Sequence, residues 1–269
     1  MSEMITLKQN EIRFLERFQQ EGFKLVDMNL IETLEWTRLS HDDLKQMDER
    51  SLWQDRNQVY ALRNDFTDQC MRYYARYTRE ATKIAYSGPI VRHHQVETQL
   101  GIERYDPNEQ DIFHCLETFL SYIHHDLSDY VSHIIIGHYK LFGLLLDEKD
   151  QNNVIYQLIE QRNISELKAK LGIAHPVVQL LLKPTTSQLD YLATLFDPDH
   201  EIIQSLKEFE TCFKAQGIED VHLDITPMAP RSYYTGVFMH CHLEKAQDRQ
   251  LSGGYYKGAL EGFGLGLTL

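Results

Sequence analysis

The segment IAYSGPIVRHHQVETQLGIE, residues 84–103, decides how the rest of this chain is read. Its β-branched residues predict strands, because branched side chains fit a pleated surface, and Gly88-Pro89 predicts a turn within it. Upstream, Asn57–Arg63 reads as another strand, and Asp65–Ala81 between them has helical character with an acidic start. The local order is therefore strand, helix, strand, strand.

Working outward, Leu7, Ile12, Leu15 and Phe18 recur at roughly helical spacing, and Gly22 stands where a helix would stop. Residues Asp111–Leu127 read as a helix on Ile112, Cys115, Leu116, Phe119 and Ile123, followed by a short buried strand at Val131–Gly137. From about Phe142 to Pro198, short helical segments are divided by Asn152-Asn153, Asn163-Ile164-Ser165, Gly172, Pro176 and Pro184. His200–Gln216 is another amphipathic helix. Val221, Leu223 and Ile225, then Val237, Met239, Cys241 and Leu243, alternate with polar or aromatic neighbours, and this period of two predicts antiparallel sheet. The apolar, glycine-rich Gly262–Leu269 is expected to close that sheet. The expected fold is α+β, an antiparallel sheet flanked by helices, with residues 1–140 and 199–269 as the core and 141–198 as a helical insertion.

The 269 residues carry 27 Lys and Arg against 40 Asp and Glu, a net charge of −13, and 42% are hydrophobic. That field disfavours nucleic-acid capture, and the length suits one large or two small domains. Ile134-Ile135-Ile136 and Leu141–Leu146 are far too short to cross a bilayer. The polar Met1–Asn10 does not resemble a secretory signal, so the cytoplasm is the expected compartment and no membrane partner is expected. Cys70, Cys115, Cys212 and Cys241 form no CxxC pair and are expected to be reduced and mostly packed.

Several local patterns have bland readings that outweigh the sharp ones. Gly262, Gly264 and Gly266 lack the spacing and following helix of a dinucleotide loop and are expected to permit close packing of a final strand. His240 and His242 share a strand face, but neither His93-His94 nor His124-His125 is specified as a third ligand, so no metal is expected. Nothing beside Cys70 predicts an activated thiol. The run Arg72-Tyr73-Tyr74-Ala75-Arg76-Tyr77-Thr78-Arg79 interleaves cations with aromatics, yet it also makes an ordinary amphipathic helix in an acidic chain.

Three further elements are more specific together than apart. Leu62-Arg63-Asn64-Asp65-Phe66-Thr67 comes first, then Tyr86-Ser87-Gly88-Pro89-Ile90-Val91-Arg92-His93 with Gln99-Leu100-Gly101-Ile102-Glu103. Last come Tyr233-Tyr234-Thr235-Gly236, Gly253-Gly254-Tyr255-Tyr256 and Gly262-Phe263-Gly264-Leu265-Gly266-Leu267. In this order they resemble histidyl-tRNA synthetase over almost the whole chain, which implies a class II synthetase-like fold. By matching position, Asp65 replaces the family's Glu and is implied to accept a ligand α-ammonium, assisted by Thr67 and Gln99. Arg92 is implied to meet the carboxylate, Glu103 and Tyr234 to grip the two imidazole nitrogens, and Tyr233 and Tyr256 to wall the pocket. The logic also stands on chemistry: a free amino acid presents a cation, an anion and a side chain, so its site needs a carboxylate, an arginine and matched groups together. Histidine suits this set, because Glu plus Tyr can serve either protonation state of its ring.

Departures from the synthetase pattern argue against catalysis. The arginine expected four residues before the paired tyrosines is Ala229, with Arg231 out of register by two, and Leu269 stands where a second arginine is expected. Each lost cation would raise the barrier to adenylate formation by roughly 3 kcal/mol. The segment between Arg92 and Gln99 is short for the family's ATP-contacting loop, Asn29 replaces the first motif's proline, and no anticodon-binding domain is expected. A pocket kept while activation and tRNA recognition are lost is similar to the histidyl-tRNA synthetase-like regulatory subunit of ATP phosphoribosyltransferase. That resemblance implies a short-form catalytic subunit as partner, histidine as feedback effector, a dimer within a hetero-octamer, and no cofactor. The competing expectations are a minimal ligase forming free histidyl-adenylate, and a scaffold whose pocket is vestigial.

Overall fold

The opening helix α1 (Glu3–Gln20) places Phe14 and Phe18 one turn apart on its buried face. Both rings pack on Phe119 of helix α3 (Glu109–His125), with centroids 5.2 and 5.6 Å apart. Helix α1 stops at Gly22, whose φ of +78° lies in the left-handed region open to glycine. There the Phe23 N–H reaches back to the Phe18 carbonyl at 2.9 Å and satisfies one of the orphan acceptors of the last turn. This computed structural model describes residues 3–34, 47, 49–74, 77, 81–226, 233–247, 249–258 and 260–269.

Among the described residues, the main sheet has eight strands. In chain order they are β1 (Lys24–Leu25), β5 (Lys83–Arg92), β6 (Gln95–Tyr105), β7 (Val131–His138), β8 (Val221–Leu223), β9 (Tyr234–Leu243), β10 (Gln250–Lys257) and β11 (Glu261–Thr268). In space the order is β1-β5-β6-β11-β10-β9-β7-β8. A separate three-stranded sheet, β2-β4-β3, is built from β2 (Ile31–Leu34), β3 (Leu52–Asp55) and β4 (Gln58–Leu62).

Two sequence expectations need correction. The sheet is antiparallel through its six central strands, but β1 pairs parallel to β5 and β8 parallel to β7. A period of two reports which face a side chain takes and is silent on strand direction. Gly88-Pro89 lies inside β5 instead of turning the chain; the turn falls at His93-His94, with φ of 48° and 63°. Pro89 is tolerated because its carbonyl faces Arg63, at 2.7 Å, on the side away from β6, so its missing N–H removes no ladder bond.

The segment expected as a helix at 65–81 forms helix α2 (Phe66–Tyr74), while Ala75, Arg76, Thr78, Arg79 and Glu80 lie outside the described residues. The expected run of short helices is present as α4 (Leu141–Leu145), α5 (Asn153–Glu160), α6 (Ile164–Leu171), α7 (Pro176–Leu181) and α8 (Gln188–Leu195). Asn152 and Asn163 start α5 and α6 by accepting N–H bonds from Ile155 and Glu166, and Pro176 opens α7 where its missing N–H does no harm. Helix α9 (Glu201–Ala215) follows.

One face of the main sheet forms the larger core. Leu100, Ile102, Ile136, Met239, Phe263 and Leu267 meet Phe14, Phe119 and Phe213 there. Each fully buried side chain of this kind contributes about 1.5–3 kcal/mol. A smaller cluster occupies the opposite face, where α2 brings Phe66, Cys70 and Met71 against Ile84, Tyr86, Tyr105 and Tyr256. Strand β11 shows why the two faces differ. Phe263, Leu265 and Leu267 point into the main core, while Gly262, Gly264 and Gly266 leave the other face bare. Among the described residues, no helix is long and apolar enough to cross a membrane.

Candidate functional site

The bare stripe of β11 is filled by side chains from its neighbours. An added Cβ at Gly264 would lie 2.6 Å from Glu103 Oε2, at Gly262 2.4 Å from the Tyr256 hydroxyl, and at Gly266 2.9 Å from Gln99 Nε2. Gly101 of β6 makes the same room for Tyr86, whose ring would lie 2.4 Å away. The glycines thus let Gln99, Glu103, Tyr86 and Tyr256 lie flat over the sheet beneath helix α2.

Glu103 is fully buried at the centre of this arrangement. Thr67, in the first turn of α2, donates its hydroxyl to Oε1 at 2.6 Å; Tyr86 donates to the same oxygen at 3.0 Å, and Tyr256 donates to Oε2 at 2.8 Å. Burial raises the carboxyl, the three hydroxyl donors oppose the rise and the nearby Asp65 charge adds to it, with a net rise to about 8. Burial, then the proximity of Glu103, raises the Tyr86 and Tyr256 phenols well above their ordinary value, so both remain protonated donors.

Asp65 has two tasks. It accepts the Asp68 N–H at 2.9 Å, fixing the start of α2, and its other oxygen meets Arg92 Nη2 at 3.2 Å. Arg92 is held further by its Nε donating to the Asn64 carbonyl at 2.9 Å. Gln99 accepts the Phe66 N–H at 3.3 Å. The Asp65–Arg92 pair thus sets a carboxylate and a guanidinium side by side at the cleft, the charge pattern a zwitterion would require.

A cleft of about 120 Å³ opens here, and Asp65, Thr67, Arg92, Gln99, Tyr234 and Tyr256 line it. Glu103 lies directly behind Thr67 and Tyr256. Tyr233 stands one step back, with its ring centroid 6.2 Å from Tyr256 and its hydroxyl donating to Asp68. The eight residues singled out in the sequence are therefore gathered in one region. Tyr234 is not among Glu103's hydrogen-bond partners; it packs against Tyr139 and Tyr233, with centroids 5.8 and 5.0 Å away. Sequence reasoning assigned Tyr256 only a wall and gave Tyr86 no role, yet both hold Glu103. It also missed Tyr139, Phe238, His240 and Ser252 as lining residues. The available signal was the spacing of Gln99, Gly101 and Glu103, which puts a glycine between two polar groups on one strand face.

The remaining motifs take structural roles. His240 faces the cleft with its Nδ1 on the Gln250 amide, whereas His242 stacks on His133 at 4.5 Å. Among the described residues, no group of three or more His, Cys, Asp or Glu side chains is placed to hold a metal ion. Cys70 is on the buried face of α2, and burial followed by the Glu103 and Asp65 charges raises its thiol well above the ordinary value, the opposite of an activated nucleophile. The connection between β5 and β6 is only the two-residue turn at His93-His94, so it sends no loop over the cleft. Ala229 and Arg231 lie outside the described residues.

The histidyl-tRNA synthetase family model matches residues 2–267. An ATP phosphoribosyltransferase regulatory subunit from Staphylococcus aureus (strain MRSA252) is 46% identical over 267 residues, covering 99% of this chain and 98% of that one. This chain belongs to the ATP phosphoribosyltransferase regulatory subunit family. The family match covers both β6, with Gln99 and Glu103, and the glycine strand β11. Solved structures agree on the fold. A regulatory subunit/histidyl-tRNA synthetase from Bacillus halodurans superposes with a TM-score of 0.78 at 16% identity, covering 98% of this chain and 77% of that chain. An ATP phosphoribosyl transferase (HisG:HisZ) complex from Thermotoga maritima gives 0.73 at 18% identity, covering 96% of each chain. At such identities the likeness speaks to the fold alone, and it places the antiparallel core within the class II synthetase-like architecture.

Proposed function

We propose that this chain binds free histidine in the Glu103 cleft and relays its presence, as a non-catalytic regulatory subunit, to a short-form catalytic ATP phosphoribosyltransferase. The observation that carries the reading is the buried Glu103 carboxyl with its three hydroxyl donors beside the Asp65–Arg92 pair. A ring that can both donate and accept suits a carboxyl that holds its own proton up to about pH 8. Asp65, with Thr67 and Gln99, would take the ammonium, Arg92 the carboxylate, and Glu103 with Tyr234 the ring, while Tyr233 and Tyr256 support the walls.

The assembly fitting this reading is a dimer of this chain within a hetero-oligomer containing the catalytic subunit, without nucleic acid, metal or cofactor. Residues 141–198 would be an insertion on the synthetase-like core. The cytoplasm suits its free cysteines, which stay reduced there. Feedback requires that histidine bind the inactive assembly better than the active one, and a coupling of roughly 1–3 kcal/mol is sufficient.

The test is co-expression with a short-form phosphoribosyltransferase, co-purification, and measurement of transferase activity with and without histidine. The reading expects a complex whose activity histidine lowers, and no histidine-dependent pyrophosphate exchange by this chain. Robust exchange would instead support the minimal ligase, and undiminished histidine inhibition after Glu103→Gln would make the cleft vestigial.

A further inference from the structure

Glu103 receives three hydroxyl hydrogen bonds, but their donors differ in freedom. Tyr86 is 1% exposed, its ring stacked on Phe66 at 4.2 Å and 10°, with its other surroundings closed by the space over Gly101. Tyr256 is also 1% exposed and is seated over Gly262. Neither phenol can withdraw without leaving a void in a packed cluster. Thr67 also lines the cleft, but it alone of the three is half-buried, and it carries a short hydroxyl that can turn about one bond.

We propose that Tyr86 is a positioning residue which pins Glu103 Oε1 so that an entering ring N–H replaces the Thr67 hydroxyl and no other, making Tyr86 a determinant of specificity for a nitrogen heterocycle. This rests on the histidine reading of the same cleft. With the ring in place, Oε1 keeps two donors, Tyr86 and the ligand, and Oε2 keeps Tyr256. Without the Tyr86 hydroxyl, Oε1 would be left with the ligand alone, and the carboxyl would gain by turning back to Thr67. The ionisable groups facing Glu103 are Asp65 just before α2, Cys70 from α2, Tyr86 from β5, Tyr105 from β6, Tyr256 from β10 and Tyr234 from β9. Asp65 raises the carboxyl and the Tyr86 hydroxyl lowers it, so removing that hydroxyl moves Glu103 further up.

The variant is Tyr86→Phe, which keeps the ring and its stack on Phe66. Two readouts are taken: carboxyl ¹³C NMR titration of Glu103 in the unliganded protein, and calorimetric titration with L-histidine near pH 7. The expected result is a Glu103 midpoint about one pH unit higher and an affinity about tenfold weaker, the scale of one hydrogen bond. An unchanged Glu103 titration together with unchanged histidine affinity overturns the proposal. A shifted titration in a protein that does not bind histidine even with Tyr86 present would uphold Tyr86 as the residue holding Glu103 and refute the histidine reading instead.

Discussion

Replacing Glu103 with Gln should stabilise the protein above neutral pH, although Glu103 is the most heavily hydrogen-bonded carboxyl in the cleft. Its ordinary value is 4.5 and burial lifts it to about 8 in the folded chain. Below 4.5 the folded and unfolded chains both hold the proton. Between 4.5 and 8 only the folded chain holds it, so wild-type stability falls as pH rises, by roughly 1.4 kcal/mol per unit and on the order of 5 kcal/mol across the interval. Above 8 both states have lost it and the slope ends. Glutamine is permanently neutral and removes this slope. Its amide carries two N–H donors where the protonated carboxyl carries one O–H, so one more hydroxyl must accept instead of donate, a pH-independent penalty of about 1–3 kcal/mol relative to protonated Glu103. The assay is urea unfolding of both proteins at fixed pH values from 5 to 9. The variant-minus-wild-type difference should climb through this range and level off past pH 8. Groups such as His138, which burial holds down near 4, are present in both proteins and cancel. A difference that stays flat with pH would mean that Glu103 ionises alike in the folded and unfolded chains, contrary to its burial.

Three further outcomes follow from the same geometry. Gly264→Ala places a methyl 2.6 Å from Glu103 Oε2 and should destabilise by about 1–3 kcal/mol, read as a melting temperature lower by several degrees, with weakened histidine binding. Gly143→Ala, in α4 with nothing within 4 Å of the new methyl, should stabilise by about 0.4–1 kcal/mol in urea unfolding. Arg92→Met should weaken histidine about tenfold or more in calorimetry while leaving the affinity for histidinol, which lacks the carboxylate, little changed.

The parts legible in the sequence were those set by period. The closing strand at Gly262–Leu269 was read from its apolar, glycine-rich run, and the helix at Asp111–Leu127 was recovered within two residues at each end, whereas Gln99 and Glu103 were picked out through the family resemblance. Features set by distant contacts were not legible. Gly88-Pro89 reads locally as a turn, and only the orientation of its carbonyl toward Arg63 explains why it fits in a strand. Strands β2 and β3 are four residues each and partly exposed, so they carry little periodic signal. The direction of the edge strands depends on which neighbour they find. Tyr86 and Tyr256 sit 17 and 153 residues from Glu103 in sequence, and nothing local says that both hydroxyls end on its carboxyl.

On the histidine reading, this cleft recognises one amino acid by its ring, through a carboxyl that shares a proton with it. Calorimetric titration of L-histidine into the purified chain between pH 6 and 9 tests this most directly. The account expects saturable binding selective over glutamine and phenylalanine. Affinity should be greatest between about 6.5, where free imidazole titrates, and about 8, where Glu103 does, and should fall on either side. Equal binding of all three amino acids, or a histidine affinity indifferent to pH across that range, would contradict it.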